Sequence, residues 1–157
     1  MIEITRKVFV RLLAIAALGM MMGGGAHAAG KTSRTAIHKV AVHVNQNDKA
    51  IMNMALNNVQ NLINHYKKAG EKVVVEVVAY GPGLHMYRAD TSPVKDRIAA
   101  MSLRNKNVKF SACGNTHRKM SKAAGKQVAL VSEARKVPSG VVRLVELQEH
   151  GYAYVRP

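Results

Sequence analysis

The chain has one cysteine, no tryptophan, two phenylalanines and four prolines in 157 residues, and nine Asp and Glu against 24 Lys and Arg. Each scarcity excludes something. A single cysteine rules out an internal disulfide and any cluster of thiolate metal ligands. With so few aromatic platforms for stacking bases, and no run of five or more basic residues, nucleic acid is not expected as a partner. The seven histidines show no i,i+4 pair and no His-x-His spacing, so no metal is expected either.

Long apolar runs are also missing. The charge-free stretch over residues 12–22 is well short of the roughly 20 residues that a bilayer-spanning helix needs. It follows Arg6, Lys7 and Arg11 and precedes the small-residue segment "GGGAHAA", the order of a secretory signal peptide. Cleavage after Ala28 is expected, leaving residues 29–157 as one domain in an oxidising compartment, the periplasm, with no stable membrane insertion. Loss of Glu3, Arg6, Lys7 and Arg11 takes the formal charge from +15 to +13. Such a field concentrates anions at the surface without choosing among them.

What is present alternates. The β-branched "KVAVHV" predicts a strand over residues 39–44, and an amphipathic helix follows, with Met52, Ala55, Val59, Leu62 and Tyr66 at three- and four-residue steps and Asn47 or Asp48 as cap. The near-continuous apolar run over 72–80 predicts a strand covered on both faces. After a glycine-rich turn, a second helix is expected with Ser92 as cap and Pro93 at its first position. "VKFSAC" is the third strand and "GNTHRKMSKAAG" starts as a short helix. Residues 134–138 give a fourth strand, Ser139 caps a helix with Val142, Val145 and Leu144 or Leu147 inward, and "YAYVRP" is a short fifth strand. The expected class is α/β: a doubly wound, three-layer sandwich in which strand-end loops share one rim.

Cys113 falls at the carboxyl end of the third strand, and Gly114, Asn115 and Thr116 open the following turn. Free N–H groups and the positive end of a helix dipole stabilise a thiolate there, with His117, Arg118 and Lys119 adding charge. The thiol has two readings. It is a sulfur nucleophile, or a small apolar residue closing the strand. An unpaired thiol in an oxidising compartment, with a glycine beside it, favours chemistry, whereas no Cys-His-Asn or Cys-His-Asp spacing supports a hydrolytic triad. Asn45, Gly81, Gly83, His85 and Gly140 belong to the other loops of the rim and join Gly114, Asn115 and Thr116 as candidate substrate-binding residues. Tyr87 and Arg88 are candidates for the pocket mouth. Gly81-Pro82-Gly83 lacks dinucleotide-loop spacing, so no cofactor is expected. The stripe Asn53, Asn57, Asn61 and Asn64 faces water or a neighbouring subunit.

The combination of "MNMALNNVQNL", "VEVVAYGPGL", "FSACGNT" and "GVVRLVELQEHGYAYVRP" closely resembles the DsrE/DsrF-like sulfur-relay family, which includes YchN-like members. The resemblance implies a five-stranded, mostly parallel sheet, assembly into trimers or hexamers, and a cysteine that holds sulfur as a persulfide. Cys113 stands where that cysteine would be. Partners would then be sulfur donor and acceptor proteins or small sulfur anions, and the chain a carrier without independent turnover. The alternative is a non-catalytic oligomeric scaffold that binds a small anion and buries Cys113.

Overall fold

The computed structural model describes residues 36–157; the signal peptide expected over residues 1–28 lies outside them. Five strands, β1 (Ile37–Val44), β2 (Lys72–Ala79), β3 (Val108–Cys113), β4 (Ala134–Val137) and β5 (Ala153–Val155), form one sheet in the order β4-β3-β2-β1-β5. Every pairing is parallel. The helices are α1 (Lys49–Lys68), α2 (Lys95–Arg104), α3 (Gly114–Ala123) and α4 (Gly140–Glu149).

The layers follow from handedness. From β1 to β4 each crossover steps one strand in the same direction, and right-handed crossovers keep their helices on one face. The crossover from β4 back to β5 runs the other way, so α4 lies on the opposite face. The result is a three-layer α/β sandwich. The larger core joins Val40, Val42, Val44, Val75, Val77, Phe110 and Ala112 to Met52, Leu56, Val59, Leu84, Tyr87 and Ile98, while Ala41, Val78, Leu144 and Leu147 form the smaller one under α4. Each large apolar side chain so buried contributes about 1.5–3 kcal/mol before entropy is counted.

Local signals explain most boundaries. The Asp48 carboxylate accepts from the Ile51 N–H at 2.8 Å and caps α1. Three expectations are corrected. Ser92 does not cap α2: the helix starts at Lys95 after Val94, so Ser92 and Pro93 lie ahead of it, and the Ser92 hydroxyl donates to the Met86 carbonyl and accepts from the Val94 N–H. Val142 and Val145 face outward, about half exposed, because Gly140, Leu144 and Leu147 at i, i+4 and i+7 already form the buried stripe. The glycine-rich turn is instead a 3-10 helix, Gly81–Tyr87, entered through Gly81 at φ +55° and Pro82.

That 3-10 segment presses on the end of β1. A Cβ on Gly83 would lie 2.4 Å from the Val44 carbonyl oxygen and 2.7 Å from the Asn45 Cα. Tyr87, expected at a pocket mouth, is buried in the core and donates its hydroxyl to the Val77 carbonyl at 2.8 Å. Three of the four asparagines of the stripe have an internal partner: Asn53 and Asn57 accept hydrogen bonds from the Arg97 guanidinium on α2, and Asn64 accepts one from Gln60 Nε2 at 2.9 Å.

Candidate functional site

Cys113 ends β3 in an extended conformation (φ −63°, ψ 116°) and is the N-cap of α3, so the strand hands its last side chain to the free N–H groups of a helix. The Thr116 N–H points at the sulfur from 3.5 Å. A second helix terminus closes from the other side. Gly140, first residue of α4, packs so tightly that an added Cβ would sit 2.8 Å from the Tyr80 Cβ and 3.1 Å from the Cys113 Cβ. Only a residue without a Cβ fits there unaltered.

The thiol therefore feels opposed influences. Burial pushes its pKa up; the Thr116 hydroxyl and the backbone N–H groups of Thr116, Gly140 and Asn115 outweigh it, so the net direction is down. Thr116 is held for this role, because its hydroxyl oxygen accepts from the Gly81 N–H at 3.0 Å and its proton remains free for the sulfur. Chemically, the arrangement stabilises an anion on sulfur. It also limits access, since Cys113 is only 4% exposed.

No protein-family model matches the chain, and no curated protein matches it. Among solved structures it is similar to the protein of unknown function MTH1491 from Methanobacterium thermoautotrophicum, with 31% identity, a TM-score of 0.64, and coverage of 76% of this chain and 99% of that one. The chain belongs to the same family as MTH1491. Its α/β fold is accordingly a property of that family.

Of the residues expected at the rim, Gly81, Cys113, Gly114, Asn115, Thr116 and Gly140 come together. Gly114 abuts the β4–α4 connection, where a Cβ would lie 3.0 Å from the Val137 carbonyl oxygen, and the Asn115 N–H donates to the Pro138 carbonyl at 3.3 Å. Asn45 and Gly83 meet each other through backbone packing at the end of β1. His85 turns to the Thr91 carbonyl, 3.0 Å away, and Arg88 pairs with Asp90. No group of three or more His, Cys, Asp and Glu among the described residues could hold a metal ion.

Two polar groups on the α4 face escaped the sequence reading. Glu76 is completely buried, its carboxylate accepting from Ser111 Oγ at 2.6 Å, from Arg143 Nε and Nη2 at 2.7 and 2.9 Å, and from Arg135 Nη2 at 3.1 Å. Burial pushes its pKa up, but hydrogen bonds from Arg143 and Ser111 and the charges of both arginines prevail and bring it from 4.5 to about 2. His43, 4% exposed, stacks on Tyr80 with ring centroids 4.5 Å apart and shares a 2.7 Å hydrogen bond between Nδ1 and the Tyr154 hydroxyl. Its Nε2 has no partner. Burial and then the Arg156 charge hold its pKa down. The signal was strand parity. Register places Ala41, Glu76 and Lys109 side by side and aligns Val78 with both His43 and Ser111, so these side chains share one face with Cys113.

Proposed function

We propose that the protein carries sulfur on Cys113 as a persulfide and passes it to an acceptor thiol. The observation behind this reading is the sulfur atom held between the N-termini of α3 and α4, with hydrogen bonds that favour the thiolate over the thiol. The Cys113 thiolate attacks the outer sulfur of a donor persulfide; the new S–S bond forms as the donor's S–S bond breaks, and the donor leaves as a thiolate. The reverse exchange with an acceptor thiol releases the cargo, with no net oxidation. Without a second cysteine, the carrier's persulfide cannot collapse into an internal disulfide.

Resemblance to the DsrE/DsrF-like family supports the same reading, and the expected leader supports a periplasmic location. Assembly into trimers or hexamers is part of the proposal; the half-exposed Val141, Val142 and Val145 on α4 supply an apolar surface for it. Incubation with a sulfane-sulfur donor followed by mass spectrometry tests the function: one added sulfur atom on Cys113, absent from Cys113→Ser, supports it.

The low exposure of Cys113 favours a second reading, a scaffold that binds a small anion at the rim and keeps the cysteine as structural filler. Labelling of the thiol in the native state separates the two. Labelling only after unfolding supports the scaffold.

A further inference from the structure

Residues 97–132 contain eight Lys and Arg and no Asp or Glu. The structure gathers part of this charge on and around α3, the helix that Cys113 caps. Arg118, Lys119 and Lys122 on α3 are exposed, as are Lys126 just beyond it and Lys136 on the edge strand β4. No ion pair involves any of these five among the described residues, whereas Arg88, Arg135 and Arg143 all have carboxylate partners. Arg118 leans over the first turn of α3: its guanidinium bonds the Asn115 side chain, and its Nη1 is 3.6 Å from where a Gly114 Cβ would be.

Beside these cations runs an open groove of about 460 Å3, lined by His117, Val128, Leu130, Val131, Ala134 and Lys136. Val128, Leu130, Val131 and Ala134 make it largely apolar, Gln127 and Ser132 add neutral polar groups, and Lys136 brings a cation. We propose that the groove and the α3 cations form a docking surface for an acidic segment of a partner protein, one that carries aliphatic side chains among its carboxylates and presents the thiol that exchanges sulfur with Cys113. The thiol clause rests on the persulfide reading; the docking itself does not.

Charge and lining select this occupant. Unpaired cations beside an apolar trough match alternating carboxylates and aliphatic side chains. A single-stranded nucleic acid would want exposed aromatic faces on which to stack, and the groove lining has no Phe, Tyr or Trp, its one ring, His117, being buried against the Val128 carbonyl. A lipid surface would want bulky apolar residues projecting from the charged helix, whereas the exposed positions of α3 are Asn115, Arg118, Lys119, Lys122 and Ala123.

The test uses the full chain and a fluorescent peptide in which Glu alternates with Leu and Val, followed by anisotropy at low and high ionic strength. The acidic peptide is expected to bind and its Lys counterpart not to, with affinity falling steeply as salt rises. Arg118→Glu/Lys119→Glu/Lys122→Glu should weaken binding by at least about tenfold, and Lys49→Glu/Lys68→Glu/Lys72→Glu, of equal net charge, by less than about threefold. Should the α3 triple variant fail to fold, Lys119→Gln/Lys122→Gln provides the milder version, with a loss of about threefold. Equal losses in the two triple variants, no binding of the acidic peptide, or stronger competition by single-stranded DNA or anionic vesicles would overturn the proposal. Cys113→Ser should bind the peptide unchanged. A peptide carrying one cysteine then reads the thiol clause separately: docking without sulfur exchange removes that clause and leaves the surface.

Discussion

Replacing Glu76 by glutamine should remove a defined portion of the protein's acid sensitivity. The carboxylate is fully buried and accepts four hydrogen bonds from Ser111, Arg135 and Arg143, and its pKa falls from 4.5 to about 2. A depressed carboxylate pKa means that the unfolded chain takes up the proton first. The stability is therefore complete above about pH 4.5 and is lost as pH falls toward about 2. At 1.36 kcal/mol per unit, that shift corresponds to about 3 kcal/mol. Urea unfolding of wild type and Glu76→Gln across this range isolates the effect, because repulsion among the other charges acts on both. Wild type should lose about 3 kcal/mol more than the variant on acidification. Near pH 7 the variant should already be the weaker, since Arg143 has lost its buried counter-charge; the truncation Glu76→Ala should cost about 3–5 kcal/mol. Parallel stability curves for wild type and Glu76→Gln would refute the argument.

Three further outcomes are expected. Thr116→Val removes the hydroxyl between the Gly81 N–H and the Cys113 sulfur, so the thiolate ultraviolet absorbance should develop at higher pH, and the unsatisfied N–H should cost about 1–2 kcal/mol. Gly83→Ala places a Cβ 2.4 Å from the Val44 carbonyl oxygen and should lower the urea midpoint by the equivalent of about 3 kcal/mol or more. His43 is buried and neutral, with its pKa held down, so its share of stability is whole above the unfolded imidazole value of about 6.5 and declines below it. His43→Phe should flatten that part of the urea-stability profile, and Tyr154→Phe should cost about 1 kcal/mol at neutral pH through the lost hydrogen bond.

The alternation of β-branched runs with three- and four-residue apolar periodicity made the parallel sheet and its helix order legible, because buried parallel strands and amphipathic crossovers leave opposite patterns in a sequence. Helix starts were less legible. Ser92 carries the right side chain for a cap, yet α2 begins only at Lys95, and the Ser92 hydroxyl serves the turn ahead of it, donating to the Met86 carbonyl of the 3-10 segment and accepting from the Val94 N–H. Choosing among four apolar residues of α4 required knowing that Gly140 sits under Tyr80, which fixes Leu144 and Leu147 inward. The rim around Cys113 could be read from strand-end position alone. Gly140 was legible there as a rim residue too; its close packing on the Cys113 Cβ and Tyr80 was not, since that contact spans separate crossovers. His85 shows the converse: nearness in the chain to Gly81 and Gly83 placed it at the rim, and its ring turns instead to the Thr91 carbonyl. Glu76 was hidden in a run otherwise apolar, where only its parity with Ser111 and the Arg135 register marks the polar seam.

The most direct test of the central claim is intact-protein mass spectrometry of the natively folded chain after exposure to a persulfide donor. Wild type should gain a single sulfur atom, located on Cys113 and discharged by a small acceptor thiol, while Cys113→Ser gains none. A native chain that takes up no sulfur, with Cys113 modified only once the protein is unfolded, would contradict the account.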